Sequence, residues 1–334
     1  MSELSKALII GGSGFLGSKI ASLLKEKKIE VVSIDIKRDS ESMPDTYIET
    51  DLSIMTREQI EQLFLPLHCD CIIYALGPDD RTIVNTNPNI FFQEKLVDLT
   101  RKVLTAAKNV GISKAVVLGS YFEHFNEILK GKLEIKHPYI KARKEQATVV
   151  SALTDDFFHA VILELPYIFG IKTGTAPLWK EHFLDVFASF PVVFIPPQGG
   201  TAITTRNNVA CAVYGALLYH DSVFIKLPLS DLNLSFKELL IEMLYSSGIH
   251  KKVVHLPSYI LFLGTSKLRR KMKKENKYSG LHYGYLMTQI MNQQFFIPEK
   301  EYVQKLHLES LGLKLEEKIL GIIDETMKYA YEKK

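Results

Sequence analysis

The sequence predicts an α/β protein in which a doubly wound, mostly parallel β-sheet carries a smaller C-terminal lobe. In the first half, short runs rich in valine and isoleucine alternate with longer amphipathic stretches, which is typical of βα units. Most of these runs are apolar throughout, as expected for strands that are covered by helices on both faces. A glycine-rich segment lies directly between the first apolar run and the first amphipathic stretch.

The elements of the first half follow in a regular order. Amphipathic stretches near residues 15–27, 56–65, 88–109 and 139–153 are predicted to form helices. The predicted strands are Ala7–Ile10, Glu30–Asp35, Thr46–Glu49, Cys71–Ala75, Ala115–Gly119 and Ala160–Leu165.

After about residue 165 this alternation ends. Connections rich in proline and glycine occur at 191–197 and 199–200. They precede two predicted helices, at 207–219 and 235–247, and a predicted strand at 252–256. We therefore expect a sheet domain over residues 1–165 and a substrate-binding lobe over residues 166–334, partly interleaved with the end of the sheet.

The composition is that of an ordinary globular protein and argues against several classes. A net charge of +3 is far from the basic surface that nucleic-acid binding requires, so no nucleic-acid partner is expected. No run reaches the ~20 apolar residues that span a bilayer, so no integral membrane segment is expected. The three cysteines are too few for a disulfide framework and favour a reducing compartment, hence a cytoplasmic location. No spacing of His, Cys and carboxylate residues indicates a metal site.

The strongest local signal is the segment GGSGFLG, which follows the first strand and opens a helix. Gly11 would form the tight turn, Gly14 would allow the backbone to approach a diphosphate, and Gly17 would pack the helix against the strand. The N-terminus of that helix offers free N–H groups and a favourable dipole to an anion. Residues 1–165 are therefore predicted to be an NAD(P)-binding Rossmann domain. Its turn contributes Gly11, Ser13, Gly14, Phe15, Leu16 and Gly17 to the expected cofactor site.

The second strand ends at Asp35, near the spacing at which this fold places a carboxylate against the adenosine ribose. That carboxylate would accept both ribose hydroxyls and repel a 2′-phosphate, which favours NAD. Ile36 and Lys37 continue the expected site, but Lys37 and Arg38 could instead attract the phosphate of NADP. NAD is the predicted cofactor and NADP the second choice.

These motifs resemble the extended short-chain dehydrogenase/reductase superfamily, in its NAD-dependent epimerase/dehydratase branch. The glycines are spaced three and three, as in that family. Asp51-Leu52 resembles the pair that contacts adenine, and residues 74–77 (YALG) resemble the segment beside the cofactor. Residues 163–170 (LELPYIFG) resemble the segment that passes the nicotinamide. The resemblance adds Asp51, Leu52, Ala75, Leu76, Gly77 and Pro166 to the expected cofactor site.

The same resemblance implies a catalytic Ser or Thr, a Tyr, and a Lys four residues after the Tyr. The segment HPYIKARKEQ places Tyr139 at the start of a predicted helix, but the residue four positions on is Arg143. Arg143 shares a helix face with Tyr139 and can supply positive charge, although a guanidinium is bulkier than an ammonium. Lys144 and Lys141 fall on other faces of the helix.

The position of the catalytic hydroxyl is also irregular. The fifth predicted strand ends in VVLGSYFEHF, and an ungapped match places Ser120 one residue before the expected hydroxyl, where Tyr121 stands. Either could bind the substrate oxygen, and Ser120 is favoured. Glu123, His124 and His137 flank this site. Glu164 and Asn207-Asn208 replace an arginine and an aspartate pair that are frequent in the family, which argues against a nucleotide-sugar substrate.

The resemblance implies hydride transfer between NAD and a carbinol or carbonyl carbon of a small, sugar-like or otherwise hydroxylated substrate. The chain would then be an oxidoreductase, epimerase or dehydratase, with Tyr139 as acid/base, Ser120 as hydrogen-bond donor and Arg143 as the electrostatic and ribose partner. The alternative is an NAD(P)-binding sensor or scaffold that has lost turnover. A homodimer is common in the family. The basic run at 266–277 is interpreted as a solvated helix face, with anionic lipid or phosphorylated ligands as the alternative.

Overall fold

The computed structural model of the chain describes residues 4–39, 41 and 44–332. Its centre is a seven-stranded sheet whose order is β7-β6-β5-β4-β1-β2-β3, with every neighbouring pair parallel. In chain order the strands β1 to β7 are Lys6–Ile10, Glu30–Asp35, Thr46–Glu49, Cys71–Tyr74, Lys114–Ser120, His159–Leu165 and Phe224–Pro228. The strand order reverses direction between β1 and β4, which is the place where doubly wound sheets bind ligands.

Both faces of the sheet are covered, because successive side chains of each strand enter different cores. On β1, Ala7 and Ile9 pack with the helices Gly17–Glu26 and Arg206–Leu218. Leu8 and Ile10 face the opposite core, which is formed by residues of other helices of the first half. The apolar strands of the sequence are therefore explained by burial on both sides, and the prediction of a Rossmann-type α/β fold is confirmed.

All six predicted strands are present, with differences of one residue at some ends. The seventh strand, β7, was not predicted. It pairs with β6 at the sheet edge, so its residues Phe224–Lys226 are only partly buried, and the short segment FIKLP is interrupted by a lysine and ends in a proline. Because β7 comes from the second half of the chain, that half completes the sheet. The division near residue 165 stays a prediction.

A helix is present at each of the predicted amphipathic stretches, and several further helices were not predicted. Two capping boxes start helices where the sequence places Thr56 and Ser235 three residues before Gln59 and Glu238. The α-helices are Gly17–Glu26, Arg57–Phe64, Pro88–Phe92, Leu99–Asn109, Tyr121–Ile128, Pro138–Leu153, Asp185–Ala188, Arg206–Leu218, Phe236–Ser246, Ser258–Gly264, Ser266–Lys274, Tyr283–Tyr285, Glu301–Lys305 and Ile319–Glu332. Wider π-helical turns are Gln93–Asp98, Lys180–Leu184 and Leu286–Ile290, and 3-10 turns are Leu65–Leu67 and Leu308–Leu311.

The second half builds a smaller sheet beside the C-terminal edge of the first. Its central strand Gly200–Thr205 runs antiparallel to Leu232–Ser235 and parallel to both Tyr167–Phe169 and Gln294–Phe295. Two further strand pairs are Val192–Ile195 with Lys252–His255, and Ile83–Val84 with Tyr278–Ser279. The last pair joins the C-terminal half to the loop that follows β4.

None of the helices in the described ranges combines the length and the hydrophobicity needed to cross a bilayer. Within the same ranges, no group of three or more His, Cys, Asp or Glu side chains converges on a metal-sized site. Cys69, Cys71 and Cys211 are free thiols in buried positions.

Candidate functional site

The glycine-rich turn between β1 and the first helix has a backbone that only glycine fits. Gly11 has φ of +85° and its N–H donates to the carbonyl of Ile34 at 2.9 Å. A Cβ on Gly11 would lie 2.6 Å from the carbonyl oxygen of Ala75, and a Cβ on Gly17 would lie 2.1 Å from that of Gly11. These two glycines hold the turn against the end of β4 and hold the helix against the turn, as predicted.

The same turn presents its backbone to an anion. A Cβ on Gly14 would approach only the Gly11 carbonyl among the described residues, at 3.1 Å, so the other side of Gly14 is open. The N–H groups of Phe15 and Leu16 have no acceptor in the described part of the chain, and the first helix starts directly after them. Open backbone, free donors and the helix dipole are the features that a diphosphate needs. The residues present therefore fit a dinucleotide.

Asp35, at the end of β2, is locked beside this turn. Its carboxylate accepts hydrogen bonds from the backbone N–H of Ser13 at 2.9 Å and of Ile36 at 2.8 Å. Each oxygen keeps a further lone pair, so the carboxylate can still accept ribose hydroxyls. Ile36 and Lys37 are exposed at the outer rim of the same loop.

The remaining predicted cofactor residues lie at the carboxyl ends of neighbouring strands. Asp51 accepts from the N–H of Ser53 at 2.8 Å, and hydrogen bonds from Ser53 hold the pKa of Asp51 below its usual value. Leu52 is buried in the core. The Ala75 N–H donates to the Ile10 carbonyl. Leu76 and Gly77 follow β4, and buried Pro166 follows β6.

Ser120, Tyr139 and Arg143 come together as the resemblance implied. Ser120 ends β5 and caps the helix Tyr121–Ile128 by accepting from the Phe122 N–H at 3.4 Å, and its hydroxyl is near enough to Tyr139 to lower the pKa of that tyrosine. Tyr139 is the second residue of the helix Pro138–Leu153. The Nε of Arg143, one turn later, donates to the Tyr139 hydroxyl oxygen at 3.0 Å.

Arg143 is buried and held by backbone and side-chain acceptors. Its Nη1 donates to the Leu118 carbonyl at 3.1 Å and to the Gln146 side-chain oxygen at 2.8 Å, and Gln146 in turn donates to Thr100 at 2.8 Å. A guanidinium has five N–H donors, and these contacts use three. The two donors on Nη2 have no partner among the described residues. They are available to a ligand.

The environment of Tyr139 keeps its hydroxyl protonated. Burial raises the pKa of Tyr139, the Arg143 charge opposes that shift, and the negative charge of Asp80 adds to it. Because the hydroxyl oxygen already accepts from Arg143, its own proton is free to be donated to another oxygen.

The structure separates the two candidate hydroxyls. The Tyr121 hydroxyl lies 2.9 Å from the Thr201 hydroxyl, inside a cluster of aromatic rings that includes Phe125 and Phe295. Tyr121 therefore packs into the smaller sheet, whereas Ser120 faces Tyr139. Lys144 pairs with Glu134 at 2.8 Å and Lys141 lies near Glu145, so neither takes the place of Arg143.

The flanking acids and histidines have structural partners. His137 is fully buried, its Nδ1 accepts from the N–H of His282 at 3.1 Å, and burial lowers the pKa of His137 to about 4. Glu123 pairs with Lys226 at 2.9 Å. His124 lies 3.7 Å from Glu164, a carboxyl group whose pKa is raised well above its usual value by burial and by its contact with Glu123.

Two groups of residues at this site were not predicted from the sequence. The first is the loop after Gly77, where burial raises the pKa of Asp80 and the charge of Arg143 opposes the shift. Arg81 beside it forms a double hydrogen bond to Asp79, at 2.7 and 3.2 Å, and lies 5.7 Å from the ring centre of Trp179. The charged triplet DDR, one proline after the predicted YALG segment, was the available signal.

The second group is a pair of buried cations from the C-terminal half that reach the glycine-rich turn. Lys172 donates to the Ser13 carbonyl at 2.6 Å and pairs with Asp39 at 3.2 Å. Arg206 donates to the Phe15 carbonyl at 2.5 Å and to the Ser18 hydroxyl at 2.7 Å. No local sequence pattern connects these residues to the turn, because they lie more than 150 positions away.

The fold and the site together define a dinucleotide-binding Rossmann protein with a buried tyrosine–arginine pair. The family model for the NAD dependent epimerase/dehydratase family matches residues 7–187, more than half of the chain. The chain therefore belongs to that family, which confirms the resemblance, and at the level of the family it confirms NAD as the cofactor.

Solved structures of this family share the fold across almost the whole chain. The UDP-glucose 4-epimerase of Thermus thermophilus, in complex with NAD, is 17% identical with a TM-score of 0.67 and covers 97% of this chain and 98% of its own. The NAD-bound UDP-glucose-4-epimerase of Stenotrophomonas maltophila is 15% identical, with a TM-score of 0.68 and 98% of both chains covered. MoeE5, in complex with UDP-glucuronic acid and NAD, is 12% identical, with a TM-score of 0.68 over 99% of this chain and 100% of its own. No curated protein sequence gives a significant match.

Proposed function

We propose that this protein is an enzyme that transfers hydride between NAD and a carbinol or carbonyl carbon of a small hydroxylated, sugar-like substrate. The observation that carries the proposal is the Tyr139 hydroxyl, held 3.0 Å from Arg143 Nε and beside Ser120. The family membership makes epimerisation, dehydration or simple oxidation the candidate outcomes.

The residues of the site have separate roles in this proposal. The cofactor, when bound, would accept the hydride of a carbinol carbon as NAD⁺ while the hydroxyl loses a proton, or would donate a hydride as NADH while a carbonyl oxygen gains one. Ser120 donates a hydrogen bond to the substrate oxygen, and Tyr139 gives that oxygen a proton or removes one. Arg143 orients Tyr139, and its two free Nη2 donors hold the nicotinamide ribose. Since the raised pKa keeps Tyr139 protonated, proton donation to a carbonyl oxygen is the step that the apo site is prepared for.

The substrate side of the site favours hydroxyl groups. Asp80 places a carboxyl group within electrostatic range of Tyr139, and carboxylates are strong acceptors for substrate hydroxyls. The guanidinium of Arg81 is engaged by Asp79 and is therefore not a free phosphate ligand. Three buried free thiols are consistent with a reducing, cytoplasmic setting, which we include in the proposal.

The first experiment separates the cofactor claim from the chemical claim. Calorimetry with NAD, NADH, NADP and NADPH is expected to show the tightest binding for NAD and NADH. Asp35→Ala is expected to weaken NAD about tenfold and to reduce the preference over NADP, because a charged ribose acceptor is lost. An intact protein that binds none of the four dinucleotides contradicts the proposal.

The second experiment tests the chemistry with matched hydroxyl variants. A panel of free sugars, nucleotide sugars and hydroxysteroids is assayed for change in the nicotinamide absorbance band and for epimerised products. Tyr139→Phe and Ser120→Ala are expected to lower kcat at least a hundredfold. Tyr121→Phe is the control and should retain activity, because in the described part of the chain its hydroxyl is hydrogen-bonded to Thr201. Equal activity of wild type and Tyr139→Phe would refute the assignment.

The second candidate, an NAD-binding sensor without turnover, is motivated by arginine in the lysine position. Arg143→Lys distinguishes the two. A gain of activity would indicate an enzyme that has lost activity through the change to arginine, whereas a loss would indicate that the active site requires Arg143. We expect a loss, because Arg143 donates to the Tyr139 hydroxyl and to the Leu118 carbonyl.

A further inference from the structure

The helices Ser258–Gly264 and Ser266–Lys274 form a surface feature with no buried residue. Three large apolar side chains of the first helix share one face at spacings of three and four residues, and all are exposed: Tyr259 (65%), Ile260 (40%) and Leu263 (63%). Leu268 of the second helix is 46% exposed. Scattered apolar residues are ordinary on a protein surface, but a cluster of this kind marks an interaction site.

The apolar surface extends onto the neighbouring strand pair. Phe194 and Val254 lie directly opposite each other in the pairing of Val192–Ile195 with Lys252–His255, and they are 47% and 40% exposed. The first helix contacts the strand that carries Phe194. The exposed apolar side chains therefore belong to one side of the C-terminal lobe.

The second helix brings positive charge to the edge of this surface. Lys267, Arg270, Lys271 and Lys274 are exposed and follow the spacing i, i+3, i+4, i+7, so they share one helix face. Glu275 is the one acid in the run, and its carboxylate pairs with Lys277 at 2.9 Å and lies 3.9 Å from Lys271 of the basic face. The whole chain carries only +3, so this face is far more basic than the average surface.

The two helices are held in a defined arrangement. Arg269 turns away from the basic face, lies 4.5 Å from the ring centre of Phe262, and donates to the Phe262 carbonyl and the Thr265 hydroxyl, both at 3.2 Å. Arg269 thus ties the second helix to the first.

We propose that residues 258–274, together with Phe194 and Val254, form a docking surface for an anionic lipid bilayer. The apolar side chains enter the boundary between headgroups and acyl chains, and the basic face contacts lipid phosphates. Charge complementarity selects this partner: a nucleic acid would match the basic face but not the exposed apolar one, and an uncharged bilayer would not use the basic residues. This proposal does not depend on the proposed enzymatic function.

The test is flotation of the full-length protein with phosphatidylcholine vesicles, with and without phosphatidylglycerol. We expect binding only to the anionic vesicles and a decrease with added salt. Leu263→Glu, and separately Lys271→Glu with Lys274→Glu, should each weaken binding at least tenfold, since each basic residue near the surface contributes about fivefold. The first control is Phe157→Glu, because Phe157 is 84% exposed and lies outside the proposed surface. The second control is Lys314→Glu with Lys318→Glu, two exposed lysines that also lie outside it. Both should bind like wild type.

Each contrary result overturns the proposal. Equal binding to neutral and anionic vesicles would show that the basic face has no role. No binding to anionic vesicles would show that this surface does not bind a membrane. Self-association in sedimentation that Leu263→Glu abolishes, without vesicle binding, assigns the surface to a second copy instead. Thermal unfolding of every variant checks that the fold is retained, which is expected because all substituted side chains are exposed.

Discussion

Single residues decide how this site differs from the motif it resembles. An arginine at position 143 keeps the positive charge one helical turn from Tyr139, and its planar guanidinium adds contacts that an ammonium cannot make in the same geometry. Those contacts reach Leu118 and Gln146, so the arginine is built into the core of the site as well as facing Tyr139.

Removing the charge of Arg143 should shift the titration of Tyr139. Arg143→Met is expected to raise the pKa of Tyr139 further, because the burial that already raises it would no longer be opposed by a cation. It should also destabilise the protein by about 1–3 kcal/mol, since the Leu118 carbonyl and Gln146 lose a donor. Alkaline absorbance titration measures the first effect. The titration of Tyr139 is obtained by subtracting the curve of a Tyr139→Phe variant, once with Arg143 present and once with Arg143→Met. A downward shift would contradict this account.

Glu164 gives a second prediction at the same scale. Burial and the neighbouring Glu123 raise the pKa of Glu164 in the folded state. The stability that protonated Glu164 contributes is therefore fully present below the pKa of this group in the unfolded chain. It is lost as pH rises through the raised pKa of the folded state. Lys226 opposes this shift only in part. Glu164→Gln should therefore raise Tm by about 2 °C or more near pH 8, and change it little near pH 5.

The measurement is thermal unfolding of Glu164→Gln and wild type across this pH range. Glu127→Gln is the control, because Glu127 pairs with the same Lys226 but is 55% exposed. A stabilisation that is equal at both pH values would show that charge burial is not its cause.

At the scale of elements, the first helix depends on contact with the turn that precedes it. Gly17→Ala would place a methyl group 2.1 Å from the Gly11 carbonyl, so helix or turn must move. We expect a loss of about 3 kcal/mol in the free energy of unfolding and loss of NAD binding.

Gly264 provides the matched control for that substitution. It ends the helix Ser258–Gly264, and no atom of the described residues lies within 4 Å of the position its Cβ would occupy. Gly264→Ala should be neutral or slightly stabilising in denaturant unfolding. If both alanine variants unfold alike, the close approach at Gly17 is not what fixes the helix.

At the scale of the whole molecule, the C-terminal half completes the cofactor site. It supplies β7 to the sheet and sends Lys172 and Arg206 to the carbonyls of the glycine-rich turn. Arg206 also pairs with Glu41 at 2.8 Å, and Lys172 with Asp39, so the loop after β2 is tied to the same two cations. The turn and the loop after β2 therefore both bond to side chains of the second half.

Arg206→Met should expose this dependence. It removes the Arg206 hydrogen bonds to the Phe15 carbonyl and the Ser18 hydroxyl and the ion pair with Glu41, and we expect a loss of about 3 kcal/mol in stability, together with weaker NAD binding. Calorimetry and denaturant unfolding measure the two effects. Arg57→Met, which removes an exposed cation paired with Glu58, should leave both unchanged.

Much of the fold and part of the site could be predicted because their signals are local. Apolar runs identified six strands, and the glycine spacing identified the turn. The resemblance to the family motif indicated Tyr139 with Arg143, and the helical spacing of four placed them on one face. β7 was missed because it is a short edge strand whose apolar residues are interrupted by Lys226 and end in a proline. Asp80 was missed because the charged triplet DDR indicates a loop but not which of its side chains lies near Tyr139.

The sequence by itself determined six strands of the sheet, the phosphate-binding turn and the helical face that carries Tyr139, since each depends on residues within a few positions of one another. Tertiary structure alone decided that Ser120 and not Tyr121 faces that tyrosine, that Lys172 and Arg206 support the turn, and that Glu164 is buried beside another carboxyl group. These outcomes depend on contacts between residues far apart in the chain, and burial sets their charge states.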